Sequence, residues 1–179
     1  TLLTILTILT PAAGGLVSGI ILYYVVRATR GSGIPQVKVA YAVKGGRLPF
    51  RDIVGNFFIS ALQIGSGGSL GREGPTVHIC AGIASSLGET FALSQKNVKR
   101  LLPVGVAAGI AAAFNAPIAA VTFTIEEIVG DLDQTVLSGV IGAAAIAVLG
   151  TAAMSMPAFA ADAFKFSFDV GNVRLRSDE

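Results

Sequence analysis

The sequence predicts an all-α, polytopic membrane protein built from broken and re-entrant helices. The first observation is composition: 179 residues, a mean hydropathy of +0.72, 53% hydrophobic and only 13% charged side chains. The second is segregation of charge. Thr1–Val26, Ile53–Gly71, Leu101–Ile125 and Gln134–Ala161 carry no charged residue, and each is near or above the roughly 18–20 apolar residues that cross a bilayer. A soluble core helix keeps a polar stripe, and these stretches show little of one. The third is punctuation. Glycine and proline cut the apolar runs into unequal helices, which membranes tolerate where the breaks line a cavity.

The elements follow in order. Segment one, Thr1–Arg27, is interrupted by Pro11 and Gly14-Gly15 and closes on Tyr23, Tyr24 and Arg27, an aromatic belt with a basic anchor. Thr29–Gly33 is a loop. Ile34–Val43 is too short to span and predicts a re-entrant half-helix. Lys44–Pro49 turns the chain into segment two, Phe50–Ile64, which ends in the glycine- and serine-rich Gly65–Ser69. Segment three starts at Gly71–Pro75 and runs to about Thr90. Ser94–Arg100 reads as a polar, basic loop, and segment four as Val98–Phe114. Segment five, Pro117–Ile128, is split from it by Asn115-Ala116-Pro117, because a residue before proline avoids the helical region. Segment six is Gln134–Met154, stopped by Met156-Pro157. Phe159–Glu179 reads as a solvent or interfacial tail.

Small residues fill segments four and six, and Gly105 and Gly109 have the GxxxG spacing that lets helix backbones approach. Arg27, Arg30, Lys38, Lys44, Arg47 and Arg51 form one basic cluster; Lys96, Lys99 and Arg100 form another. Both predict cytoplasmic ends.

Several classes are excluded. A net charge of +2 with no RNP, zinc or helix-turn-helix signature implies no nucleic-acid partner. Cys80 stands alone, so neither a disulfide framework nor a CxxC metal pair is expected. No HExxH, GxSxG or paired-aspartate motif marks an intramembrane enzyme, and no cofactor is implied. His78 and Cys80 are too few for a metal, which needs three or four ligands, and receive no role. No signal peptide is visible, and the chain opens inside an apolar run, so a piece of a longer polypeptide is expected.

Gly71-Arg72-Glu73-Gly74-Pro75 is the most informative stretch. It sets an arginine and a glutamate between apolar segments, and charges at membrane depth are costly enough to mark an ion pathway or proton relay. Pro75 suits the first turn of a helix, and the flanking glycines allow close backbone approach. A helix start with free N–H groups attracts anions, and Glu73 would compete for that place. A scaffold would gain nothing from such a buried charge. Arg72 either raises the local anion concentration or pairs with a carboxylate or snorkels. Gly31-Ser32-Gly33-Ile34-Pro35 aims amides and one hydroxyl past the start of a short helix; on residues alone it is equally an ordinary capped helix. Glu127, beside Glu126, reads on residues alone as a solvated helix-end acid.

These two motifs, with Gly109–Pro117 and the Phe123–Glu127 run (GIAAAFNAP leading to FTIEE), resemble the CLC family of chloride channels and chloride/proton antiporters. The resemblance covers nearly all of Thr1–Thr151, about the first half of a CLC membrane domain. It implies a half-domain over residues 1–155, one half of an inverted-repeat domain of about six to seven helices, and a linker or tail over 156–179. It implies that Ser32, Gly33 and Ile34, with Gly71, Arg72, Glu73 and Gly74, bind the anion. It further implies that Ser32 contributes its hydroxyl to the central anion site and that Glu73 is the gate. Glu127 takes the place of the antiporters' internal proton-transfer residue. Ser32 and Ile34 favour chloride over nitrate or fluoride. Chloride/proton exchange is the implied activity, with a passive chloride channel as the alternative. The implied partners are chloride, protons, the lipid bilayer, the second half of the same membrane domain and a second subunit in a homodimer. The implied location is a multi-pass position in a plasma or inner membrane.

Overall fold

The structure, a computed structural model, describes residues 2–24, 33–69, 71–130 and 133–154, with side chains from residue 9 onward. Among the described residues every regular element is helical. The helices are α1 (Leu2–Tyr24), α2 (Ile34–Ala42), α3 (Phe50–Gly65), α4 (Glu73–Thr90), α5 (Gln95–Phe114), α6 (Pro117–Phe123) and α7 (Gln134–Met154). Helix α6 runs straight into a π-helical turn, Thr124–Val129, which Gly130 closes in the left-handed conformation with its N–H on the Ile125 carbonyl at 2.8 Å.

Helix α5 is the central pillar. Val98, Leu102, Val106, Ala107, Ile110 and Ala111 are buried, and α4 lies along it. The GxxxG pair explains the closeness. A Cβ on Gly105 would stand 2.5 Å from the Cys80 carbonyl oxygen, and one on Gly109 would stand 2.9 Å from Cys80 Cβ. Enlarging either residue costs about 1–3 kcal/mol of overpacking. Helix α3 packs on the other side of α4, where Ile53 fills the space beside Gly82. Helix α1 leans on α3, with Gly14 against Ser66. Helix α7 joins the core through Val136, Val140 and Ala144.

The structure differs from the sequence-based expectation at three places. Lys96, Lys99 and Arg100 lie inside α5 rather than in a loop. The helix extends past its apolar stretch, and Lys99 lies over the Tyr41 ring at 4.7 Å while Arg100 pairs with Asp133 at 3.7 Å. Pro11 and Gly14-Gly15 do not break α1, which is continuous. Only α5 and α7, among the described residues, are long and apolar enough to cross a membrane; α1 is apolar over Leu9–Tyr24, and α3 has 16 residues. Much of the outer surface is apolar all the same, with Leu16, Ile20, Phe57, Phe58, Ile83, Ile146 and Leu149 exposed.

Candidate functional site

The starts of α2 and α4 touch. Gly33 precedes α2 at φ +90°, a conformation that disfavours a Cβ. A Cβ there would also stand 2.5 Å from the Gly74 carbonyl oxygen and 3.1 Å from His78 Cβ. Only glycine satisfies both conditions, so the two glycines from separate motifs form one contact. The ladder of α2 opens with the Val37 N–H on the Gly33 carbonyl, and that of α4 with the Thr76 N–H on the Arg72 carbonyl. The amides of Ile34, Glu73 and Gly74 precede these bonds and have no intrahelical acceptor. Two positive dipole ends therefore converge on one locus. Pro35 and Pro75 both sit in a first turn, where the missing N–H costs nothing.

Glu73 is exposed rather than buried, which corrects the expectation of a buried charge. Its Oε2 lies against Gly71, where an added Cβ would collide with it. The carboxylate thus folds back over the start of its own helix. Arg72 is also exposed. Its Nη2 donates to the Ala113 carbonyl at 3.2 Å, on the last turn of α5. A guanidinium there complements the negative end of that helix, so Arg72 ties the start of α4 to the end of α5. Asn115 finishes α5 in the left-handed conformation at φ 52°. Ser32 lies outside the described residues.

Glu127 sits in the π-helical turn, half-exposed, with Lys38 Nζ 3.1 Å from its Oε1. Gly33 and Lys38 are five positions apart on the short helix, so about 7.5 Å of helix axis separates the helix-start contact from this ion pair. Helix α2 therefore touches both. Lys38 as the partner of Glu127 escapes a sequence reading, although a lone lysine within a short apolar helix is the available signal.

Below the glycine contact lies a buried polar chain. His78 is fully buried, and Asn56 Nδ2 donates to its Nδ1 at 3.0 Å. Asn56 Oδ1 in turn accepts from Ser60 Oγ at 3.2 Å. Asn56 and Ser60 are buried as well. Among the described residues, no three His, Cys, Asp or Glu side chains cluster as a metal site requires.

The voltage-gated chloride channel family model matches residues 14–175. A ClcB-like protein of Ralstonia nicotianae is 35% identical over 73% of this chain and 31% of that protein. The protein CLC-d of Arabidopsis thaliana is 40% identical over 56% of this chain and 15% of its own length. The H(+)/Cl(-) exchange transporter ClcA of Vibrio cholerae is 38% identical over 60% of this chain and 23% of its own. The chain thus spans about a third or less of the relatives it matches.

Proposed function

This chain belongs to the voltage-gated chloride channel (CLC) family, and on that premise we propose that it forms one half of a multi-pass membrane domain that exchanges chloride for protons. The observation that carries the reading is the contact of Gly33 with Gly74, which brings two helix starts together at the residue next to Glu73. An ionised Glu73 is a tethered anion at an electropositive end and excludes chloride. Protonation removes the charge, and with it the electrostatic reason to stay. Proton and chloride then contest one place. The role of Ser32, next to Gly33 in sequence, is carried over from the family resemblance alone.

Glu127 receives protons on the inner side. Its half-exposed pairing with Lys38 supports exchange over passive conduction, because a titratable acid lies along the same short helix as the anion site. The exposure of Glu73 supports a second half-domain that closes over it. The exposed Ile118, Ile141 and Ile146 on α6 and α7 support a homodimer face or lipid contact.

The test uses the complete protein in liposomes. Glu73→Gln should abolish proton movement while chloride flux persists. Proton movement that survives this substitution contradicts the gate. In the unsubstituted protein, a reversal potential indifferent to the proton gradient would leave a passive chloride channel.

A further inference from the structure

We propose that His78, held at Nδ1 by Asn56, is a positioning residue that sets the spacing of the α2 and α4 starts and thereby which anion they accept. The inference rests on the anion-site reading above. His78 is the side chain directly beneath the glycine contact: its Cβ would stand 3.1 Å from a Cβ on Gly33. It lies on α4 one turn after Gly74, so a shift of α4 at this turn carries the His78 Cβ against the start of α2, and the bond from its ring to Asn56 of α3 opposes that shift. What fixes the ring is unusual. Asn56 Nδ2 can only donate, so Nδ1 accepts. The ring's Nε2 is buried and finds no hydrogen-bond partner among the described residues. The Asn56 contact is therefore the ring's one polar hold there, and Ser60 fixes the asparagine amide in turn.

Beside the ring lies a cleft of roughly 240 Å³, lined by Gln36, Lys44, Pro49 and Asp52 as well as His78. The ring has room to move toward it once Asn56 lets go. A leucine at position 56 keeps the volume and removes the hold. A glutamine at position 78 offers a carbonyl that accepts from Asn56 in place of Nδ1.

The test measures the chloride-to-nitrate flux ratio of the complete protein in liposomes, together with the amide nitrogen resonances of Gly33 and Gly74 in detergent. Asn56→Leu and His78→Leu should each lower the ratio roughly threefold or more, and the double variant should be no worse than either single one, as coupled neighbours behave. His78→Gln should restore most of the ratio. Both glycine resonances should shift in the leucine variants and return in His78→Gln. A ratio that holds in the leucine variants while flux or melting temperature falls overturns the positioning role. Unmoved glycine resonances overturn it too. If the unsubstituted protein carries no chloride, the transport reading fails, and the two resonances still judge the spacing.

Discussion

The glycine contact and the Lys38–Glu127 pair lie along one short helix, and they rest on different physics. At Gly33 and Gly74 the constraint is steric: φ is +90° and there is no room for one further carbon. At Lys38 and Glu127 the constraint is electrostatic, with side chains 54% and 44% exposed. A surface pair of this kind contributes about 0–1 kcal/mol. The proposed roles match these constraints: a close-packed pair of helix starts for an anion, and a solvent-accessible acid for a proton.

The comparison breaks most visibly at the steric end. Gly33→Ala combines about 1–3 kcal/mol of backbone strain with about 1–3 kcal/mol of overpacking. It should lower the melting temperature and abolish chloride flux. Gly142→Ala is the control: nothing lies within 4 Å of its added Cβ, and helix propensity alone should stabilise by up to about 1 kcal/mol. An equal loss in both variants would erase the special status of the contact.

Arg72→Ala comes next. It removes the hydrogen bond to the Ala113 carbonyl and should cost about 0.5–1 kcal/mol in thermal unfolding, given its exposure. The electrostatic end should respond differently. Lys38→Met should move the unfolding free energy by no more than about 1 kcal/mol, yet change the proton-to-chloride ratio measured across a pH gradient. A large stability loss there would mean that the pair is structural.

The smallest effect lies at Asp133. The Thr135 N–H donates to its carboxylate at 2.9 Å, and with Arg100 nearby the group titrates below the usual carboxylate range. A depressed pKa contributes stability that is present above the unfolded value and lost as pH falls through the folded one. Acid melts should therefore show a modest decline that Asp133→Asn removes.

Much of the fold was legible because its punctuation is local. Pro35, Pro75 and Pro117 each sit in the first turn of a helix, as proline chemistry demands. Helix α7 begins at Gln134, where the apolar run does. The basic residues of α5 suggest a loop by charge alone, whereas their partners Tyr41 and Asp133 lie elsewhere in the chain. The same limit applies to the site. The motifs announced Gly33, Glu73 and Gly74, but not that Gly33 rests on Gly74. Arg72 reaches a carbonyl 41 residues away, and Lys38 an acid 89 residues away. No periodicity records such pairs. His78 receives no role from the sequence for the same reason: its partner Asn56 lies 22 residues away.

Chloride affinity as a function of pH, in the unsubstituted protein and in Glu73→Gln, tests the central claim most directly. A carboxylate that contests the site predicts affinity rising as pH falls in the former and flat in the latter. The same pH dependence in both proteins would contradict the account.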